Sequence, residues 1–132
     1  REMTASGLVE IGSHGYAIHN LDGRMGNFAP GQANGVQRRK GESDTDFYCR
    51  VLDDLRYSFD RIAQETGAPP TFFAYPFGKT DPDADAYLEG LFPLTVVTGP
   101  GKYAANLSKG LHQLPRFTVT MERSLAALLK NT

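Results

Sequence analysis

The sequence has one cysteine, no tryptophan and three histidines among 132 residues. A single cysteine excludes a disulfide within the chain. Cys49 is expected on the polar side of a helix, which favours a solvent-exposed thiol over a nucleophile. Within residues 1–132 no apolar run approaches the roughly 20 residues that cross a membrane, and none has the pattern of a signal peptide. The formal net charge is only −1, which argues against nucleic acid or an anionic membrane surface as the main partner.

The composition and the order of apolar patterns predict one α/β domain over residues 1–132. A hydrophobic fraction of 40% and a charged fraction of 22% are typical of a globular protein with a single core. The first residues indicate the last turn of a helix that ends at Gly7. Strands that alternate with helices favour parallel pairing. Strands are expected over 8–11, 71–75, 94–98 and 114–120, and helices over 43–66, from 81 onwards and over 121–130.

Two of the three histidines follow the first apolar run. Leu8-Val9-Glu10-Ile11 is typical of a buried strand of a parallel sheet, and Gly12-Ser13 then leads to His14, with His19 five residues later. Because chemistry is placed at the carboxyl ends of parallel strands, two imidazoles here predict a divalent metal site. A spacing of five fits no regular element, so the loop must curl, as Gly15 permits. The alternative is a pair of solvated loop histidines.

Several stretches match one family in the same order along the chain. They are residues 8–19, then Arg39-Lys40-Gly41-Glu42-Ser43 before the long helix, then Phe72-Phe73-Ala74-Tyr75-Pro76-Phe77-Gly78, and last Leu114-Pro115-Arg116-Phe117. The first and third stretches resemble the second and third motifs of the polysaccharide deacetylases, the NodB-type family-4 carbohydrate esterases. The resemblance implies a partial (β/α) barrel of this type that lacks its early strands, so that residues 1–132 are a single truncated deacetylase-like domain.

The resemblance also implies part of a metal-dependent active site. A metal, usually zinc, would be bound by His14 and His19, and an acetyl group would be removed from an N-acetylated amino sugar in a polymer. A metal held by two imidazoles and a carboxylate polarises the amide carbonyl and lowers the pKa of bound water. Tyr75, Pro76 and Phe77 match the part of the motif that forms a wall of the sugar site, where aromatic faces suit a pyranose. For Phe77, packing in the core is an equal alternative.

Several features of the family pattern are changed in this sequence. Gly15 stands where a Ser or Thr usually follows the first histidine, and the two histidines are five residues apart rather than four. Ala74 stands where the family has an arginine that supports the catalytic carboxylate. Arg116, at the start of the last strand, is the candidate to supply that support. His112, which follows Leu111, is the candidate general acid.

The family's first motif is an aspartate pair that supplies a metal ligand and the catalytic base. Before His14 the sequence contains only Glu2 and Glu10 as acids. Asp53-Asp54 is an aspartate pair, but it is predicted to lie on the solvated face of the long helix. We therefore expect the fragment to be inactive alone. Its sheet edges would be covered by a second copy of the chain or by segments outside this sequence.

Three functions stay open at this point. The first is a metal-dependent polysaccharide deacetylase. The second is a non-catalytic carbohydrate-binding relative, which the missing arginine and aspartate pair favour. The third is a structural α/β domain with incidental histidines. The expected partner is an N-acetylated polysaccharide, with no nucleic acid and no membrane span, and the resemblance implies an envelope or extracellular location.

Overall fold

The computed structural model describes residues 2–19, 35–98 and 105–116 and the single positions 124 and 126. Its helices are α1 (Glu2–Ala5), α2 (Asp44–Phe47), α3 (Asp53–Thr66) and α4 (Pro82–Leu91), and its strands are β1 (Phe72–Ala74), β2 (Leu94–Val97) and β3 (Leu114–Pro115). A π-helical turn joins α2 to α3, and short 3₁₀ turns follow β1 and precede β3. The last helical turn predicted before Gly7 is confirmed by α1.

The three strands form a parallel sheet in the order β1-β2-β3. Phe73 lies opposite Thr95, and Val96 lies opposite Leu114. The predicted α/β class with parallel pairing is thereby confirmed. The expected strands at 71–75 and 94–98 are present with shorter limits. The last strand is described only over Leu114–Pro115.

The predicted helix over 43–66 is confirmed, with one irregularity. The Ser43 side chain accepts a hydrogen bond from the backbone N–H of Asp46, and Gly67, with φ 84°, ends the helix. Between them, Tyr48–Leu52 is a π-helical turn, in which the N–H of Asp53 bonds to a carbonyl five residues earlier. One extra residue in a helix turns every later side chain by about 100° about the axis. The π turn therefore decides which side chains of α3 face the rest of the fold.

The core joins the long helix and α4 to the sheet. The ring of Phe73 on β1 packs against that of Phe92, with centroids 5.5 Å apart, and Phe59 on α3 meets Phe92 at 5.3 Å. Phe92 follows α4 directly, so its ring links three elements. The buried apolar residues are Ile18, Val36, Phe47, Val51, Leu52, Leu55, Phe73, Tyr75, Ala84, Leu88 and Phe92.

The prediction of a buried strand over 8–11 is wrong. Leu8 is 90% exposed and Val9 40% exposed, and this part of the chain joins the sheet only through a bridge between Ser13 and Phe73. An apolar run becomes a buried strand only where neighbours cover it on both sides. In the described part of the chain this segment has β1 on one side and no strand on the other. The run is therefore an uncovered segment that leads into the edge of the sheet at Ser13.

Some predictions lie outside the described residues. They concern 20–34 within the long connection, 117–120 of the last strand and, apart from positions 124 and 126, the final helix over 121–130. Cys49 is exposed, as predicted. Over the ranges that the structure describes, no helix has both the length and the apolar character that a membrane crossing requires.

Candidate functional site

The site is built at the edge of the sheet beyond β1. Ser13 is aligned with this strand, because its N–H donates to the Phe72 carbonyl and its own carbonyl accepts from the Ala74 N–H, each at 2.9 Å. The next residue, His14, places its Nδ1 2.6 Å from the Ala74 carbonyl oxygen. A carbonyl oxygen only accepts, so Nδ1 carries the proton and Nε2 keeps its lone pair. The backbone of β1 thus selects the tautomer of His14.

The chain brings His19 back to His14. The two imidazole centroids are 4.8 Å apart, and the His19 ring stacks on the Phe77 ring with centroids 4.3 Å apart. Both histidines are exposed to solvent. Gly15, with φ 84°, allows the reversal between them, since this left-handed conformation favours glycine. The curled loop that the five-residue spacing requires is therefore present.

The surroundings of His14 favour its neutral form. Partial burial is the main cause that lowers the pKa of His14, against the effect of the hydrogen bond to the Ala74 carbonyl, and electrostatic interactions with His19 and Arg116 lower this pKa further. The neutral ring is the form that binds metals or accepts a proton. Arg116 follows β3, and its backbone N–H donates to the Val97 carbonyl at 2.9 Å. Because Arg116 follows the carboxyl end of β3, it lies at the same end of the parallel sheet as the two histidines, on the far side of β1 and β2 from them.

His112, the predicted general acid, does not lie at this edge. It precedes β3, level with Thr95: Leu111 accepts from the Thr95 N–H at 3.1 Å, and the Gln113 N–H donates to the Thr95 hydroxyl at 2.7 Å. Ser13, Phe73 and Thr95 share one row of the sheet. Three strand spacings, roughly 14 Å in all, separate the chain at Ser13 from the chain at His112. His112 also lies at the amino end of β3, whereas His14 lies near the carboxyl ends of the strands, so the structure does not bring these two histidines together. A general-acid role for His112 stays a prediction.

The three residues predicted to form a wall of the sugar site differ in their exposure. Tyr75 and Pro76 are each less than 2% exposed, so they belong to the core in this structure. The Tyr75 hydroxyl donates to the Asp85 carboxylate on α4 at 2.8 Å, and burial is the main cause that raises the pKa of this hydroxyl. Phe77 is half-buried and keeps one ring face against His19. Of the three residues, Phe77 is therefore the one accessible from the site.

Asp85, the partner of Tyr75, is expected to make stability depend on pH. Burial, as the largest cause, raises the pKa of Asp85, although the hydrogen bond from Tyr75 lowers it. A carboxyl whose pKa is raised by folding stabilises the fold below its unfolded pKa, and this contribution is lost as pH rises through the folded pKa. As the pH rises from about 3 to about 7, the free energy of unfolding of Asp85→Asn should therefore increase relative to that of the parent chain, which loses this contribution. Urea midpoints of both proteins across this range measure the difference, and a difference independent of pH would contradict the expectation.

Asp54 is a part of the site that the sequence did not reveal. The prediction that it lies on a solvated helix face is wrong, because its carboxylate accepts hydrogen bonds from the backbone N–H groups of Tyr16 and Ala17, at 2.8 Å and 2.6 Å. Burial raises the pKa of Asp54, and the two backbone hydrogen bonds oppose this rise. One turn later on α3, the buried Ser58 hydroxyl bonds to the Ser13 hydroxyl. The sequence feature that could have indicated this is the spacing, since Asp54 lies four residues before Ser58 and therefore borders the apolar stripe of the helix.

The donor set for a metal is partial. The two imidazoles are close together, and the tautomer of His14 leaves Nε2 available, as a metal ligand requires. Within the described ranges, no group of three or more His, Cys, Asp or Glu side chains is arranged to hold an ion. The described residues therefore bring two imidazoles together, which is fewer donors than the four of a tetrahedral zinc site.

The chain was compared with known proteins. The family model for polysaccharide deacetylase matches residues 1–91. A comparison with curated protein sequences finds no match.

Solved structures with a similar fold include a de-N-acetylase, a deacetylase domain and the protein IcaB. A de-N-acetylase from Aggregatibacter actinomycetemcomitans is 22% identical with a TM-score of 0.75, and the alignment covers 100% of this chain and 51% of the other. The deacetylase domain of BpsB from Bordetella bronchiseptica is 27% identical with a TM-score of 0.60, and the alignment covers 86% of this chain and 46% of that domain's chain. IcaB from Ammonifex degensii is 26% identical with a TM-score of 0.54, and the alignment covers 73% of this chain and 36% of IcaB.

This chain therefore spans about half, or less, of the length of those proteins. The small parallel sheet with its covering helices corresponds to a part of their fold, which confirms the predicted partial barrel. The family model matches more than half of the residues and includes both histidines and the motif after β1. The chain belongs to the polysaccharide deacetylase family.

Proposed function

We propose that the protein containing this chain is a metal-dependent hydrolase that removes N-acetyl groups from an amino-sugar polysaccharide. His14 and His19 would bind the metal, for which zinc is the first choice because imidazole nitrogen is a favoured zinc ligand. The envelope or the extracellular space is the proposed location. Chitin, peptidoglycan and poly-N-acetylglucosamine are all polymers of the proposed substrate class.

One observation carries the proposal: the two imidazoles converge, and the tautomer of one of them is set by the backbone. Their centroids are 4.8 Å apart, and the His14 Nδ1 is held by the Ala74 carbonyl. A backbone acceptor on the distal nitrogen is the usual arrangement of a metal-binding histidine, because it orients the ring and frees Nε2. Two solvated loop histidines would have no reason to share this geometry.

Each nearby side chain has a distinct role in the proposal. When bound, the metal polarises the amide carbonyl and lowers the pKa of a water molecule. Phe77, stacked on His19, would offer its half-buried ring to the apolar face of a pyranose. Arg116, whose charge acts on His14, would hold a carboxylate ionised near the metal in place of the arginine that Ala74 replaces.

The fragment alone is proposed to be inactive. In this proposal His14 and His19 would be two of the zinc ligands, and residues 1–13 contain no aspartate pair. The same observation favours a second candidate function, a carbohydrate-binding relative without turnover. The exposed Leu8 and Val9 are the surface that a second copy would cover in the proposed homo-oligomer, which sedimentation velocity would detect.

Zinc binding tests the first proposal. Isothermal calorimetry of the parent chain is expected to give weak binding of one zinc ion per chain. His14→Ala and His19→Ala should each weaken it by at least about tenfold, since even the outer partners of metal ligands contribute about 10–100-fold. His112→Ala is the matched control, because this third histidine lies at the far side of the sheet, and its affinity should equal that of the parent.

Two results would contradict the metal site. One is the absence of zinc binding by the parent chain, and the other is equal loss of zinc affinity in all three histidine variants.

The second candidate function is tested with an N-acetylglucosamine oligomer, by measuring its binding and the release of acetate with zinc present. Binding without acetate release, when the chain is joined to the remaining half of its domain, would favour the carbohydrate-binding role.

A further inference from the structure

Two side chains of α3 hold the loop that carries the histidines. Asp54 contacts the loop between His14 and His19, and Ser58 contacts it immediately before His14. We infer that Asp54 is a positioning residue, which fixes the separation and orientation of the two imidazoles by anchoring the turn between them. The contacts of Asp54 support its anchoring of the turn, and the proposed metal site gives the reason why the two imidazoles must be positioned.

Both carboxylate oxygens of Asp54 are used. Oδ1 accepts from the Tyr16 N–H at 2.8 Å, and Oδ2 accepts from the Ala17 N–H at 2.6 Å. Hydrogen bonds to a charged acceptor are short and are stronger than those between neutral groups. The carboxylate therefore ties two consecutive peptide groups, so the turn has little freedom to rotate about a single contact.

The turn is closely packed at Gly15. A Cβ at Gly15 would lie 2.4 Å from Ile18 Cγ1 and 3.1 Å from Asp54 Oδ1. Ile18 is 5% exposed, and its carbonyl accepts from the Gly35 N–H at 3.1 Å. The loop is thus fixed by the core at Ile18, by Asp54 in its middle and by Ser58 at its start. The fifth residue in the spacing of the histidines is taken up inside this turn.

The helix is shaped to present these two side chains together. Asp54 and Ser58 are four residues apart and so lie on one face of α3. The π-helical turn over Tyr48–Leu52 ends directly before α3 and rotates this face by one residue relative to α2. Asp53, the neighbouring carboxylate, is exposed and points to solvent. The aspartate pair therefore contains one half-buried anchor and one surface group, which makes the second a matched control for the first.

Amide hydrogen exchange tests the anchor in the absence of metal. In Asp54→Ala, the Tyr16 and Ala17 amides should exchange about 10–100-fold faster, because their hydrogen bonds to a charged acceptor are lost. Asp54→Asn should give a smaller increase, since an amide has one acceptor oxygen for two N–H groups. Asp53→Ala should leave both amides unchanged. The amides of α4 report whether each variant is folded; should Asp54→Ala fail to fold, Asp54→Asn carries the test.

Positioning of the histidines is tested by two further measurements. Nuclear Overhauser effects between the His14 and His19 rings are expected in the parent and should weaken in Asp54→Ala, and zinc affinity should fall about tenfold. Faster exchange with unchanged ring contacts would overturn the inference, because Asp54 would then only brace the backbone. Unchanged exchange would overturn it outright. A parent chain that binds no zinc would remove the proposed metal site, while exchange and ring contacts would still decide the role of Asp54.

Discussion

Replacing Phe73 with alanine is expected to lower the free energy of unfolding by about 3–5 kcal/mol. Phe73 is fully buried, and its ring meets those of Tyr75 and Phe92 with centroids 5.3 Å and 5.5 Å away. Truncation removes this apolar contact and leaves a cavity between β1 and the covering helices. Domains of this kind are stable by about 5–15 kcal/mol, so the loss is a large share of the total. Equilibrium urea unfolding, followed by circular dichroism, measures it.

Phe72→Ala is the matched control for this prediction. Phe72 has the same side chain one position earlier on β1, faces the other side of the sheet and is only half-buried beside Gly12. Its truncation should cost clearly less, because the cost of losing an apolar group grows with the area that it buries. Equal losses from the two variants would mean that the core does not lie on the helix side of β1, against the contacts between Phe73 and Phe92.

The parts of the fold with local signals could be predicted from the sequence. Ser43 and Gly67 mark the ends of the long helix, because a side-chain acceptor and a left-handed glycine satisfy backbone groups within a few residues. Asp81 and Pro82 mark the start of α4 in the same way. The alternation of these helices with short apolar runs then predicted the parallel sheet.

The parts that depend on distant neighbours could not be predicted in this way. Leu8 and Val9 have the composition of a buried strand, but burial depends on whether a neighbouring strand is present, which a local pattern does not record. Asp54 looked like a solvated helix residue because its partners, Tyr16 and Ala17, are more than thirty positions away. The π turn that directs Asp54 inward has no simple signature in composition or periodicity.

In the candidate site, too, features with a local sequence signal could be predicted and features that depend on distant neighbours could not. The convergence of His14 and His19 followed from their position after an apolar run and from the glycine between them. Tyr75 was placed on the wall of the site by motif similarity, yet its hydroxyl finds a partner in Asp85 and the side chain is buried. His112 was predicted as the general acid from the resemblance of Leu111-His112 to a motif of the family. Its distance from the site became clear only from the order and register of the strands.

Gly78→Ala is expected to lower the free energy of unfolding by about 2–5 kcal/mol, the sum of steric overlap and left-handed strain. Gly78 has φ 65°, and a Cβ there would lie 1.8 Å from the Thr98 carbonyl oxygen. The neighbouring backbone cannot yield cheaply, because β2 leads directly into Thr98 and is paired with β1. Phe77, also left-handed with φ 58°, precedes it in the same turn. Urea unfolding measures the loss.

Two other glycines separate the causes of this loss. Gly67 has φ 84° with no atom within 4 Å of a Cβ, so Gly67→Ala should show strain alone, about 1–2 kcal/mol. Gly90 near the end of α4 has neither strain nor crowding, so Gly90→Ala should be neutral or stabilise by up to about 1 kcal/mol. If Gly78→Ala costs no more than Gly67→Ala, the close approach to Thr98 is not rigid. A larger cost would show that this turn is fixed by the sheet, and Phe77 would then be held against His19 by the backbone.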